Sequence, residues 1–347
     1  MKGMSHSIRH PFGILAVTGL IGLASACTSG STATDTAAQG GHGGSSGLVI
    51  NFGDQQQNLE TLLNASGALK GAGYTVNFVE FDSGPLVDAG FAAGRIDLGF
   101  MGDLPASLAV KSGLPVSAVA VSQPIGAWEY LLAGPGVTSI AQLRGKPVAY
   151  TTGTAEQAFA LRVLESAGLT QQDVKQVDVT LEQLGTALES GAAAASVVSV
   201  EQKVDYEQTH PDAKILATID SVTPPSYDYL LASNSAVASP AKLAAIDDLI
   251  KRIVEASNWQ KAHESQWITD YYVNVEHQTP AVAKLILAAG GTQTYVPVTG
   301  AVQDALQQVV GLMASAGAST DYTVAPLFNT AAEARSAAIL KEVPQNG

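Results

Sequence analysis

The sequence predicts an α/β protein of two lobes, each built on a mostly parallel sheet with crossover helices. Three observations predict it. Short strand-like runs alternate with longer helix-compatible runs from Leu48 to about Val200, the rhythm of strand–helix–strand units. Three turns, Gly53-Asp54-Gln55-Gln56-Gln57, Gly102-Asp103-Leu104-Pro105 and Thr151-Thr152-Gly153-Thr154, each follow a strand-like run and open a helix-like one. The segment Glu129-Tyr130-Leu131-Leu132-Ala133 returns as Asp228-Tyr229-Leu230-Leu231-Ala232, each preceded by an aromatic, Trp128 and Tyr227. Two such segments suit a pair of strands crossing between lobes; a chance likeness between two buried strands accounts for the echo equally well.

Taken in order, the chain opens with a basic segment, Met1 to Phe12, carrying Lys2 and Arg9 and no acid. An uncharged stretch from Gly13 to Ala26 follows, too short for a stable membrane span of about 20 residues. This is the layout of a secretory signal. Leu23-Ala24-Ser25-Ala26-Cys27 holds the only cysteine of the 347 residues and resembles a bacterial lipobox, which makes Cys27 the expected lipidation site and residues 1–26 a lipoprotein signal peptide. An ordinary secretory signal with an incidental cysteine is the plainer alternative. Thr28 to Gly47 has no bulky apolar residue, so residues 27–47 read as a flexible tether.

The whole chain has a formal net charge of -13. Removing residues 1–26 takes away Lys2 and Arg9, so the remainder stands at -15. An acidic surface of this size argues against nucleic acid as a partner and against a basic membrane-binding face. With no cysteine pair, burial alone must hold the folded part together, and about 300 residues suffice for that.

From Leu48 the expected elements are a strand to Gly53, a helix-compatible run to Lys70, a strand Thr75 to Phe81 and a helix Pro85 to Ala93. A strand Ile96 to Met101 and a helix from Asp103 follow. The rhythm resumes in strands Val148 to Thr151, Val174 to Val179 and Ser196 to Val200, with helices Ala155 to Ala167 and Leu181 to Ser190 between them. Ser239-Pro240 and Thr279-Pro280 each place a cap before a proline at the first helical position; the second helix ends at Gly290-Gly291, and the C-terminal region reads as helical. On the crossing interpretation, residues 48–133 begin lobe 1, 134–225 form an inserted lobe 2, and 226–347 complete lobe 1.

Ligands of open parallel sheets bind outside the carboxyl ends of the strands, where helix N-termini offer free N–H groups. The three turns therefore supply the candidate ligand contacts: Asp54, Gln55 and Gln56; Gly102 and Asp103; Thr152, Gly153 and Thr154. Asp103 and Thr154 also qualify as simple helix caps. Trp128, at the proposed crossing, is placed to flank a ligand or to pack the hinge.

Two runs carry a resemblance: Phe81-Asp82-Ser83-Gly84-Pro85-Leu86-Val87-Asp88-Ala89 and Gly94-Arg95-Ile96-Asp97-Leu98-Gly99-Phe100-Met101-Gly102-Asp103-Leu104-Pro105. With Ser139 to Val148, Thr152-Gly153-Thr154 and Ala167-Gly168-Leu169-Thr170, they resemble the ABC-transporter substrate-binding proteins of the aliphatic sulfonate, taurine and nitrate family, most of all the sulfonate branch. The resemblance implies a type II periplasmic-binding-protein fold, with two lobes joined by two crossing strands. It also implies a small-molecule ligand, an ABC permease as partner, no cofactor, and a lipid-anchored monomer on the outer face of the cell membrane.

The sequence departs from that pattern where a ligand would be selected. The first loop has Asp54 and three glutamines, the second-lobe loop has Glu156 and Gln157, and Ser199-Val200-Glu201-Gln202 stands where relatives often show Trp-Asp-Pro-Tyr. A carboxylate beside a sulfonate repels it, which makes room for a ligand with amide, hydroxyl or cationic groups. The resemblance still implies an aliphatic sulfonate or related organosulfur ligand, and the alternatives are a nitrogenous ligand such as a thiamine-pyrimidine precursor, nitrate or taurine, or a desulfinase-like enzyme. Enzyme chemistry finds little footing: Cys27 lies beyond the tether, His210, His263 and His277 are dispersed without metal-ligand spacing, and Ser239-Pro240-Ala241-Lys242 lacks companion motifs. A non-enzymatic receptor is expected, with no catalytic residue and no metal.

Overall fold

The computed structural model describes residues 47–345. The predicted signal peptide, Cys27 and the tether up to Ser46 lie outside the described residues. The chain runs through β1 (Val49–Asp54), α1 (Asn58–Ala65), β2 (Thr75–Glu80), α2 (Gly84–Ala92), β3 (Leu98–Gly102), α3 (Asp103–Lys111) and β4 (Val116–Gly126). It then enters a second group: β5 (Glu129–Ala133), β6 (Pro147–Ala149), α4 (Ala155–Ser166), β7 (Lys175–Val177), α5 (Leu184–Glu189), β8 (Ala195–Ser199), α6 (Val200–Thr209) and β9 (Lys214–Thr218). It returns as β10 (Asp228–Ser233), α7 (Asn234–Ala238), α8 (Pro240–Ala262), α9 (Glu264–Trp267), α10 (Pro280–Ala289), β11 (Gly290–Val296), α11 (Gly300–Ser315) and α12 (Thr330–Glu342).

Two sheets result, one per lobe. The first has the order β11-β4-β10-β3-β1-β2 and the second β7-β6-β8-β5-β9. Apart from β11 the orders are the same when each lobe is counted from its own first parallel strand. In both, the strand laid down just after a crossing is antiparallel to its neighbours: β10 against β3 and β4, β5 against β8 and β9. The repeated Tyr-Leu-Leu-Ala motif occupies this strand in each lobe; contrary to expectation neither copy itself crosses, each lying wholly in one sheet, and residues 129–133 belong to the second sheet rather than to lobe 1.

That position explains the motif. Tyr130 and Leu132 enter one cluster of buried side chains, and Leu131 and Ala133 another; Leu230 and Ala232 likewise part from Tyr229 and Leu231. Alternate side chains of a strand leave by opposite faces, and a strand covered on both faces needs apolar residues throughout.

The helices follow their predicted starts. Ser239 accepts a bond from the Lys242 N–H at 3.4 Å and Thr279 one from Val282 at 3.3 Å, with Pro240 and Pro280 at the first helical positions. Leu243, Ile246, Ile250 and Ile253 fall on one face of α8; the three isoleucines are buried together with Leu249, and Leu243 is half-buried near the helix start. One strand interrupts the C-terminal region that the sequence predicts as helical. β11 begins at Gly290, where α10 ends, and pairs antiparallel with the outer half of β4. Its Thr-Gln-Thr stretch is polar because it lies at the sheet edge, and so lacks the apolar alternation that marks an inner strand.

Candidate ligand site

The three predicted loops lie at the carboxyl ends of β1, β3 and β6, and each ends in a helix whose N-terminus carries a carboxylate from its own chain. Asp54 is fully buried. Its Oδ1 accepts the N–H of Gln55 at 2.9 Å and of Leu59 at 3.3 Å, and its Oδ2 that of Glu60 at 2.8 Å. Burial nonetheless raises its pKa to about 7, against the lowering effect of those bonds. Beside it, Gln55 donates from Nε2 to the Phe100 carbonyl at 2.8 Å, tying the first loop to β3. Gln56 and Gln57 are exposed and take the left-handed conformation, φ 56° and 53°.

In the second loop, Asp103 Oδ1 accepts the Leu104 N–H at 2.7 Å. Its Oδ2 accepts from Ser226 Oγ at 3.2 Å and forms an ion pair with Arg162. Arg162 lies on α4, two turns beyond Ala155, so this buried pair joins the lobes. In the third loop, the Glu156 carboxyl lies beside the Thr154 hydroxyl, its own N–H and the Glu129 carboxyl. The Gly153 N–H goes to Gln157 Oε1 at 2.8 Å, and Thr154 Oγ1 donates to the Thr151 carbonyl at 2.8 Å. Thr152 is exposed and engaged sideways: its N–H donates to Asp178 Oδ1 at 3.0 Å, and its hydroxyl accepts from Gln176 Nε2 at 2.8 Å.

The second and third loops meet face to face. A Cβ added to Gly102 would stand 2.8 Å from the Ala155 Cβ and 3.9 Å from Asp228 Oδ1. Gly153, at φ 80°, would meet Pro85 Cγ at 3.3 Å. The structure thus brings Gly102 and Asp103 against Gly153, Thr154 and α4, while Asp54 turns into α1. Trp128 is partly buried against the second-lobe core, and its carbonyl accepts the Val200 N–H at 3.2 Å.

Three residues that sequence reasoning did not select complete the junction. Glu129 and Asp228 are the first residues of β5 and β10, and each stands opposite the end of the third parallel strand of its lobe, Ser199 and Gly102 respectively. They are equivalent positions of the two lobes. Glu129 is 1% exposed and neither carboxyl oxygen receives an N–H; its hydrogen-bonding neighbour is the Glu156 carboxyl, which a shared proton joins to it. Burial pushes it well above the carboxylate range, Glu156, Asp103 and Asp228 push it further, and Arg162 opposes them. Asp228 is pushed up to about 8 by burial and by Asp103 and Glu156, although Gln293 Nε2 donates to its Oδ2 at 3.1 Å. Arg162 Nε and Nη1 and the Tyr229 hydroxyl are buried without a hydrogen-bond partner. The signal in the sequence was the acid that opens each copy of the repeat.

Among the described residues no group of three or more His, Cys, Asp or Glu side chains is arranged to hold a metal ion. No described helix is long and apolar enough to cross a membrane.

Two sheets of one strand order, meeting through loops at their carboxyl ends, define a two-lobed binding-protein fold. The chain belongs to the NMT1/THI5-like family, whose model matches residues 64–264, more than half of its length. It is 27% identical over 179 residues to an Escherichia coli (strain K12) protein named for aliphatic sulfonate binding, covering 51% of this chain and 53% of that protein. A Bacillus subtilis (strain 168) protein of the same name is 24% identical over 240 residues, 67% of this chain and 71% of that one. The matched stretch thus spans about half the length of the first relative. Among solved structures, the alkanesulfonate-binding protein SsuA from Xanthomonas axonopodis pv. citri, bound to MOPS, superposes with a TM-score of 0.69 at 21% identity, covering 78% of this chain and 93% of that one. This establishes the fold as that of the periplasmic binding proteins.

Proposed function

We propose that this protein is the extracytoplasmic substrate-binding component of an ABC importer. It captures a small polar organic ligand between its lobes and presents it to a membrane permease. Organosulfonates are the class that its relatives' names put first. The protein works as a monomer held at the outer face of the membrane by an acylated Cys27, and it returns its ligand chemically unchanged.

The observation that carries this reading is the junction itself. Loops at the carboxyl ends of both sheets converge, and the contacts across them join different lobes: Gly102 with Ala155, and Asp103 with Arg162. A ligand touching both sides gains contacts only in the closed arrangement. It shifts the population towards that state by its differential affinity, and the permease reads the closed shape. Gly102, Asp103 and Thr154 form the ligand's two walls, with Trp128 flanking. Gln55 and Gln56 close the side beside β3, and Asp54 holds that loop through α1. Gly153, left-handed and close to Pro85, lets the walls approach, and Thr152 braces its loop.

A thermal-shift screen against small organic anions, zwitterions and amines tests the reading. A ligand at 100 times its Kd stabilises by about 2.7 kcal/mol, roughly 5 °C for a protein of this size. Mass spectrometry of the recovered ligand then separates a receptor, which leaves it intact, from an enzyme.

A further inference from the structure

We propose that the ligand carries a protonated nitrogen, recognised between the lobes by the carboxyls of Glu129, Asp228 and Glu156. The inference rests on the receptor reading above and specifies the chemical class that the receptor takes.

The first argument is where the anions already are. A helix N-terminus is a ready site for an incoming anion. At this junction the N-termini of α1, α3 and α4 are occupied by Asp54, Asp103 and Glu156 of the chain itself. An anionic head placed on any of them would displace a carboxylate or lie against one.

The second argument is the pair of equivalent acids. Glu129 and Asp228 open the matching antiparallel strands of the two lobes, 1% and 8% exposed. Together with Glu156 they make three carboxyls, and the cation acting on them, Arg162, is paired through Nη2 with Asp103. A buried carboxyl without a donor is costly unless it keeps its proton or gains a cation. Glu129 has no N–H donor on either oxygen, although it is nearly as buried as the Leu and Val side chains beside it; its hydrogen-bonding neighbour is another acid, Glu156, so the pair holds a shared proton that an incoming ammonium would replace. A single ammonium offers three donors, enough to bond a carboxyl from each lobe at once. Such a bridge would exist only when the lobes are closed, which is what a closure-driven receptor requires. The unpartnered Arg162 Nε and Nη1 and the Tyr229 hydroxyl remain for the polar or anionic end of the same molecule.

The test is calorimetric titration of the whole protein with compounds matched except for the amine: propanesulfonate against 3-aminopropanesulfonate, and 1,4-diaminobutane alone. The expected result is that 3-aminopropanesulfonate binds at least tenfold more tightly than propanesulfonate. The preference should fall to within threefold in Glu129→Gln and, independently, in Asp228→Asn, each checked for a cooperative thermal transition. Equal or tighter binding of propanesulfonate overturns the inference and leaves the receptor reading standing. An amine preference that survives in both folded variants also overturns it. Binding by none of the three compounds counts against both.

Discussion

Arg162 of α4 and Asp103 of α3 form an ion pair across the two lobes, with side chains 0% and 2% exposed. The pair is fixed from both ends, because Asp103 also accepts from Leu104 and Ser226. Breaking such a pair strands a charge in a dry environment, whereas removing both charges together is far milder. Arg162→Met is therefore expected to cost about 3–5 kcal/mol in urea denaturation at pH 7, and Arg162→Met with Asp103→Asn to recover most of that loss. A single variant costing under about 1 kcal/mol, the level of an exposed pair, would show that the lobes are not joined this way in solution.

Stability should fall as pH rises through neutrality. Asp228 is raised from 3.8 to about 8, and Asp54 and Asp88 from 3.8 to about 7, in each case first by burial. The unfolded chain releases these protons near pH 3.8 while the folded chain keeps them, so the folded state binds more protons between those values. The stabilisation is complete below the unfolded pKa and is lost as pH rises through 7 to 8. The melting temperature is expected to decline from pH 5 to pH 8, and Asp228→Asn to flatten the upper part of the decline. A rise over that window contradicts the assignment.

Asp54 serves α1 through two backbone bonds, from Leu59 and Glu60, and its own loop through a third, from Gln55. Asp54→Ala should cost about 1–2 kcal/mol, the upper range for a lost cap, while leaving the order of ligand affinities unchanged. A reordering of ligands with little loss of stability would instead make Asp54 a selector of ligand charge.

Cys27→Ser is expected to move the protein from the membrane fraction to the soluble fraction without changing ligand affinity, as fractionation and titration of the released protein would show. Retention of the serine variant on the membrane would refute lipid anchoring at this residue.

Much of this architecture was legible in the sequence because it rests on local signals. Strand–turn–helix alternation located the three loops, and Ser239-Pro240 and Thr279-Pro280 located two helix starts. The repeated Tyr-Leu-Leu-Ala marks matching strands of the two lobes rather than the crossings between them, and its opening acids carry no signal by themselves. A single carboxyl before an apolar strand means nothing until the two sheets are seen to share one strand order. Arg162 escaped for a different reason: its partner lies 59 residues away, in the other lobe. Burial assigns roles in the same way. Asp54 looked like a ligand contact from its loop, but its orientation onto α1 depends on a turn in which Gln56 and Gln57 both adopt positive φ, a choice that glutamine composition does not announce.

Closure is the central claim, and Gly102→Ala tests it most directly. Gly102 has φ -72°, which alanine adopts freely, so the added methyl should leave each lobe's fold intact. Its one close contact is Ala155 of the opposite lobe, at 2.8 Å. Titration of the variant with the ligand found by screening is expected to show at least a tenfold loss of affinity, about 1.4 kcal/mol, while a cooperative thermal transition shows that the lobes stay folded. Unaltered affinity in a folded Gly102→Ala protein would mean that binding does not require the lobes to meet, and the account would fail.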